Sequence, residues 1–338
     1  IWGTPLPIWV CEKCGFKETA FDRAEITEKA FELPDGEEFE LHRPWIDKVV
    51  LKCSKCNGRA YREPFVLDTW HNSGAAPYAS LTDQEYRDIV PAMFLTEGID
   101  QTRGWAYTLL IENVILTGNP QAPYDAFLFQ GHVLDEKGNK MSKSLGNILD
   151  ATELLSGNSV DLVRFYIVWK ASPIDSLSFS YSEMKGRPFQ TLNTIFNLYS
   201  YVIQNSGFDG FNENEHSVAW AYEKDLLSNS EKWILSRLQN TIRRVSEAFD
   251  SCRYHDAARS IEDFVIGDLS QNYVPMTRTE IWDDRNESLS KRLAIYGVLA
   301  DALKKLCILL HPISPFISEY LYQNCVKSPK ESILLEDW

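Results

Sequence analysis

The sequence has no long apolar run. Leu306 to Leu310 is about as long as such stretches get, far short of the roughly 18 residues a membrane-spanning helix needs. A chain with no span of that kind is expected to work without a membrane. The opening residues, Ile1-Trp2-Gly3-Thr4-Pro5, include no initiating Met and no basic segment leading into an apolar one. Neither a secretory signal nor a transit peptide is legible, and the chain reads as cut from a longer one. Positive charge is in short supply. The 34 Lys and Arg stand against 48 Asp and Glu, a net charge of −14, whereas nonspecific nucleic-acid binders usually carry a positive excess. Any nucleic-acid site must therefore be a local patch. Residues 1–183 hold 17 basic and 27 acidic side chains and residues 184–338 hold 17 and 21, so the second half is the better candidate. Repeats and low-complexity tracts are also missing. With 44% apolar and 24% charged residues over 338 positions, the composition is globular, and two domains with a small insert are expected.

The seven cysteines form no disulfide framework. Their odd number and the lack of an export signal fit a reducing cytoplasm. Cys252, Cys307 and Cys325 are scattered through apolar-periodic sequence, but the other four form two Cys-x-x-Cys pairs, Cys11/Cys14 and Cys53/Cys56. Two thiolates at that spacing turn toward one ion, and two such knuckles complete a closed tetrahedral zinc site of structural type. Gly15 and Gly58 follow the pairs closely, as a tight knuckle favours. Residues 15–52 between the pairs must fold as a hairpin or small subdomain. A redox role is disfavoured because two pairs are present and neither opens a helix after a strand.

From Phe65 onward the rhythm changes. Phe65 to Trp70, Ala92 to Leu95 and Tyr124 to Phe129 read as short strands, each leading into a polar or Gly-containing segment, with a helical pattern from Thr102 to Thr117. Strand, loop and helix in alternation predict the parallel sheet of an α/β domain, with ligands at the carboxyl ends of the strands. That would bring three polar clusters to one rim. The second half is helical. Ile234, Leu238, Ile242, Val245 and Phe249 recur at helical intervals, as do Leu293, Tyr296, Ala300, Leu303, Cys307 and Leu310. Tyr254 to Val274 supplies another helix, and Pro312 and Pro315 interrupt the last before Phe316 restarts it. Gly207 and Gly210 read as an exposed connection.

The sharpest local signal is Lys140-Met141-Ser142-Lys143-Ser144, between Gly138-Asn139 and the helix-capping sequence Asp150-Ala151-Thr152-Glu153. Two ammonium groups and two hydroxyls on a loop anchored by a helix can close over a triphosphate and neutralise charge on a departing pyrophosphate.

This loop, taken with four further segments, resembles the class I aminoacyl-tRNA synthetases, and the isoleucyl members most closely. Glu97-Gly98-Ile99-Asp100-Gln101-Thr102-Arg103-Gly104-Trp105 is similar to their adenylate-binding segment, and Asp68-Thr69-Trp70-His71-Asn72-Ser73-Gly74 to their Asp-x-Trp-Phe-Asp-Ser-Gly segment. Trp2 to Trp9 resembles the strand returning from the editing insertion, and His311-Pro312-Ile313-Ser314-Pro315-Phe316 the final helix of the anticodon-binding bundle. The matches run in order from residue 2 to about residue 322.

The resemblance implies a Rossmann-like catalytic half with a zinc-knuckle insert, then an all-α anticodon-binding bundle: 1–64 as return stalk with knuckle, 65–180 as catalytic half, 181–338 as bundle. It assigns Lys140, Ser142, Lys143 and Ser144 to catalysis. Glu97, Gly98, Asp100, Gln101, Gly131, Met141 and Lys143 are assigned to ATP or adenylate, and Trp70 and Trp105 to the wall of an amino-acid pocket. The implied partners are L-isoleucine, ATP with Mg2+, and tRNA(Ile). Arg237, Arg243, Arg244 and Arg253 are the candidate phosphate contacts on the bundle.

Two departures stand out. His71-Asn72 replaces Phe-Asp, and no His-x-Gly-His occurs, so the chain matches an internal fragment without the first catalytic half and the editing domain and is expected to be inactive by itself. The alternatives are a valyl-type sister enzyme and a noncatalytic, zinc-containing RNA-binding module. The intact lysine loop and the Glu97 to Trp105 segment argue against the second, since RNA binding needs neither.

Overall fold

The computed structural model describes all residues except 1–2, 35, 37, 91–92 and 326–329, and the side chain of Cys325. Trp2, Ala92 and the Cys325 thiol thus lie outside the described residues. The chain divides into two compact units, Ile1–Phe129 and Gln130–Trp338.

The first unit begins with a five-stranded antiparallel sheet in the order β2-β1-β5-β4-β3. Its strands are β1 (Ile8–Cys11), β2 (Lys17–Thr19), β3 (Ala30–Glu32), β4 (Val50–Lys52) and β5 (Arg59–Arg62), with helix α1 (Arg23–Lys29) between β2 and β3. Alternation along these short strands sends Trp9, Cys11, Leu51 and Ala60 into a small core with Phe39 and Ile46. The Trp9 indole donates to the Val49 carbonyl at 3.1 Å, so the largest buried ring also leaves no unpaired N–H. The 38 residues between the cysteine pairs thus supply three strands, β2, β3 and β4, and helix α1 of this subdomain.

Next come α2 (Thr69–Ser80), α3 (Asp83–Ile89), β6 (Phe94–Gly98), a 3-10 turn over Ile99–Arg103, α4 (Trp105–Thr117) and β7 (Ala126–Gln130), with β6 beside β7. The strand expected over Phe65 to Trp70 is not formed; Val66 makes only an isolated bridge to Pro5. Asp68 explains the difference. Its carboxylate accepts the Trp70 N–H at 2.8 Å and starts α2, and the small residues that follow let α2 pack closely on α4. A Cβ on Gly74 would lie 2.8 Å from the Thr108 carbonyl oxygen, so the glycine is required by helix contact rather than by a loop. Local capping and close packing override the aromatic, β-branched pattern. The expected rim loses its Phe65 to Trp70 member, while β6 and β7 do lie side by side; in the second unit Val133–Leu134 and Leu177–Ser178 pair in parallel in a sheet of two strands.

That unit opens with β8 (Val133–Leu134), which pairs in parallel with β9 (Leu177–Ser178). Between them lie the lysine loop, α5 (Ala151–Gly157) and α6 (Val160–Lys170). The bundle comprises α7 (Tyr181–Met184), α8 (Arg187–Phe208), α9 (Val218–Glu223), α10 (Asn229–Asp250), α11 (Tyr254–Glu262), α12 (Val274–Ile281), α13 (Leu289–Leu310) and α14 (Pro315–Cys325). A π-helical segment, Asp263–Tyr273, joins α11 to α12. The helix expected to end at Val274 therefore continues to Ile281. Pro275 lacks an N–H for the ladder, and the change from π to α geometry falls immediately before it. Gly207 belongs to the last turn of α8 rather than to a connection, whereas Gly210 turns with φ +65°. One continuous core runs through the unit, from Leu154 on α5 and Phe165 on α6 to Leu303 and Leu310 on α13 and Tyr322 on α14.

Candidate functional site

The two Cys-x-x-Cys pairs converge. Their four sulfur atoms lie within 4.8 Å of one another, with Cys11 and Cys56 Sγ 3.5 Å apart and Cys14 and Cys53 Sγ 3.7 Å apart. A tetrahedron with Zn–S bonds near 2.3 Å has edges of about 3.8 Å, so the donor set and spacing fit zinc. Gly58 sits against the cluster, where a Cβ would be 3.2 Å from both Cys11 and Cys56 Sγ. The thiols differ in character. Although burial works against it, the backbone N–H groups of Cys14 and Lys13 bring the Cys11 thiol down to about 7. The Gly58 N–H favours a thiolate at Cys56, but the neighbouring Cys14 and Cys11 push it up to about 12. Four thiols this close resist ionising together unless a cation compensates.

In the same unit, β6 ends at Glu97-Gly98 and the following turn presents Asp100 and Gln101. Glu97 and Asp100 are exposed, while Gln101 and Trp105 are half-buried. Gln101 is fixed at both ends of its amide: Nε2 donates to Asp100 Oδ2 at 3.0 Å and Oε1 accepts from the Trp105 N–H at 3.2 Å. The start of α4 is thereby capped by a residue that still faces solvent. A Cβ on Gly104 would meet Gln101 Oε1 at 2.6 Å and Trp70 Cη2 at 3.0 Å, so glycine here lets the Trp70 ring lie against the turn. The Trp105 indole donates to the Ser73 carbonyl at 2.9 Å and meets the Phe127 ring edge-to-face. The two tryptophans are thus held at neighbouring ends of packed helices, and Trp70 keeps 43% of its surface exposed. His71 and Asn72 have local partners. His71 Nδ1 lies 2.6 Å from the carboxylate of buried Glu112, and Asn72 accepts from Thr4 Oγ1 at 2.9 Å.

The lysine loop belongs to the second unit. Leu134 forms an antiparallel bridge with Lys140, a 3-10 turn covers Lys143–Leu145, and the Ser142 and Ser144 hydroxyls lie 3.1 Å apart. The Met141 sulfur accepts the Leu149 N–H at 3.5 Å. As expected, Asp150 caps α5 by accepting from Thr152 and Glu153. Gly131 is fixed by backbone contact: its N–H donates to the Pro173 carbonyl at 2.9 Å, and a Cβ there would fall 2.1 Å from the Asp175 carbonyl oxygen.

Two residues around this loop escaped the sequence reading, Asp135 and Asn147. Their side chains bond to each other at 2.9 Å and to the loop backbone. The Asn147 amide and the Asn139 N–H hold the Asp135 carboxyl below its ordinary range. A polar pair twelve residues apart, flanking three lysines and two turn glycines, is the signal that could have found them.

On the bundle, Arg237 pairs with Asp268 at 2.9 Å, Arg243 with Glu247 at 3.0 Å and Arg253 with Asp256 at 3.0 Å. Arg244 is exposed. Among the described residues no helix is long and apolar enough to cross a membrane.

Residues 1–180 match the family described as tRNA synthetases class I (I, L, M and V), and residues 231–338 match the anticodon-binding domain of tRNA ligase. Curated proteins named isoleucine--tRNA ligase are similar over the whole chain. That of Methanothermobacter marburgensis is 36% identical over 100% of this chain and 32% of its own length. For Pyrobaculum aerophilum the figures are 39%, 100% and 35%, and for Thermus thermophilus 37%, 100% and 32%. The chain therefore spans about a third of the length of the curated relatives it matches. Among solved structures, LeuRS of Agrobacterium radiobacter in the complex LeuRS-tRNA-LeuAMS shares the fold over 97% of this chain and 40% of its own, with TM-score 0.70 and 21% identity. Methionyl-tRNA synthetase of Mycobacterium tuberculosis with methionyl-adenylate follows over 68% of this chain and 43% of its own, with TM-score 0.56 and 19% identity. With the lysine loop and the Glu97 to Trp105 segment inside one matched region and helices α10 to α14 inside the other, the chain belongs to the class I tRNA synthetases of the isoleucine, leucine, methionine and valine group.

Proposed function

We propose that this chain supplies one half of the catalytic centre of an isoleucine–tRNA ligase, together with its zinc-bearing stalk and tRNA-binding bundle. The observation that carries the reading is the pairing of Trp70 and Trp105 around Gly104, in a chain whose curated relatives are named for isoleucine along its entire length. Flat indole faces suit a branched aliphatic side chain. Glu97, Gly98, Asp100 and Gln101 hold the amino acid and the adenylate ribose, and Gly131 lies by the adenine.

In the first step a carboxylate oxygen of isoleucine attacks the α-phosphorus of ATP, and the bond to the leaving pyrophosphate breaks. Lys140 and Lys143 neutralise the charge that collects on the pyrophosphate, with Ser142 and Ser144 donating hydrogen bonds and Met141 packing under the loop. In the second step a ribose hydroxyl of the tRNA attacks the adenylate carbonyl and AMP departs. The work is positioning and charge stabilisation, and the reaction calls on no covalent nucleophile from the protein. Mg2+ enters with ATP.

Cys11, Cys14, Cys53 and Cys56 are the residues that would hold zinc, which supplies cross-linking of the stalk and no chemistry to the reaction. The working division is residues 1–64 as stalk, 65–180 as catalytic half and 181–338 as bundle, acting in the cytoplasm with tRNA(Ile). On the bundle the exposed Arg244 is the first candidate for a phosphate contact, while Arg237, Arg243 and Arg253 would first have to leave their carboxylates. The remaining half of the ATP clamp comes from sequence outside these 338 residues. The reading is tested by amino-acid-dependent exchange of pyrophosphate into ATP with the full-length polypeptide: isoleucine should support it far better than valine, leucine or methionine, and a preference for valine would overturn the assignment.

A further inference from the structure

One amide side chain holds the lysine loop from both sides. Asn147 Oδ1 accepts the Ser142 N–H at 2.9 Å, and Nδ2 donates to the Lys140 carbonyl at 3.3 Å and to Asp135 Oδ2 at 2.9 Å. The backbone is therefore clamped immediately before and after Met141, between the two lysines. Asp135 is itself fixed, because its Oδ1 accepts the N–H groups of Lys137 at 3.0 Å and Asn139 at 2.7 Å. Ser142 passes the constraint on: its hydroxyl accepts the Leu145 N–H at 3.3 Å and closes the turn that carries Lys143.

The chemistry of this hub admits few side chains. Asn147 must accept from one backbone group while donating to another and to a carboxylate. Asp would lose both donations and set a second negative charge against Asp135, Leu would lose everything, and Gln would displace the amide by a methylene. Two ammonium groups on one short loop also repel each other, so without such a clamp the loop has every reason to spread. A loop whose task is to meet developing charge loses its effect when displaced by as little as an ångström.

We infer that Asn147, oriented by Asp135, is a positioning residue that presets Lys140 and Lys143 for the charge on departing pyrophosphate; the inference rests on the function proposed above for that loop. It touches no substrate and acts through the lysines.

The test uses the full-length polypeptide and isoleucine-dependent pyrophosphate exchange. Asn147→Ala should lower kcat by roughly 10- to 100-fold while leaving KM for isoleucine within about twofold, because the amino-acid pocket is built elsewhere. In a Lys143→Ala background the same change should cost clearly less than it does alone, since only its action through Lys140 remains. Asn147→Asp should be at least as damaging, and joining it to Asp135→Asn, which restores a donor and acceptor between the two positions, should recover part of the loss. This reversal decides the matter if Asn147→Ala fails to fold. Full activity of Asn147→Ala, a loss that multiplies fully onto that of Lys143→Ala, or no recovery in the reversed pair would overturn the inference. A silent Lys143→Ala would instead overturn the role of the loop itself, and so separates the two failures.

Discussion

Arg164 on α6 donates through Nε to the carbonyl oxygen of Ile313 at 2.9 Å, across 149 residues of sequence. Its Nη2 reaches the Pro312 carbonyl at 3.0 Å. One turn earlier on the same helix, Asp161 accepts the N–H groups of Phe316 at 3.2 Å and Ile317 at 2.5 Å. A single short helix thus satisfies carbonyls of the turn before α14 and the free N–H groups at its start. These are the groups a helix end otherwise leaves unpaired, and Asp161 is buried. Asp161→Ala should cost about 1–3 kcal/mol, seen as a lower denaturation midpoint. Asp161→Asn, which keeps one acceptor, should cost less, and equal losses would argue against the capping role.

Gly74 should not tolerate a methyl group. With Thr108 and Glu112 of α4 only 2.8 Å from the position of a Cβ, Gly74→Ala must separate α2 from α4, at an expected cost of about 1–3 kcal/mol. Because Trp70 and Trp105 ride on these two helices, the same variant should weaken isoleucine binding. Isothermal titration checks this, and unchanged affinity would mean that the helix contact does not set the pocket.

The cysteine cluster predicts about one zinc per chain. Metal analysis of protein purified without chelator checks the number, and finding none would refute it. Cys53→Ser should remove the metal and loosen the first unit's small core, while the core running from Leu154 to Tyr322 in the second unit keeps its thermal transition.

The two halves of the proposed site should separate kinetically in the full-length polypeptide. Trp105→Ala should raise KM for isoleucine with a smaller effect on kcat, whereas Lys143→Ala should lower kcat with little effect on KM. The reverse pattern would show that the assignments are exchanged.

Much of this was legible in the sequence because it is written in local chemistry. Cysteine spacing identified four thiols that do converge, helical periodicity found α10 and α13, and the Asp150 cap was readable from its own next three residues. What failed depended on partners far along the chain. Nothing near Trp70 says that Gly74 will press on Thr108, and so a capped helix was mistaken for a strand. Asp135 and Asn147 were missed for the opposite reason: each reads as an ordinary turn residue until the loop closes and brings them to 2.9 Å. The bundle arginines show a third case, since exposed-looking cations at helical intervals proved to be paired with Asp268, Glu247 and Asp256.

The most direct test of the central claim is isoleucine-dependent exchange of pyrophosphate into ATP, measured for the full-length polypeptide, for its Lys143→Ala variant and for the 338-residue chain alone. The full-length protein should be active with isoleucine, the variant slower by roughly 100-fold or more, and the isolated chain below detection because it holds only one side of the triphosphate. Robust exchange by the isolated chain, or full activity without Lys143, would contradict the account.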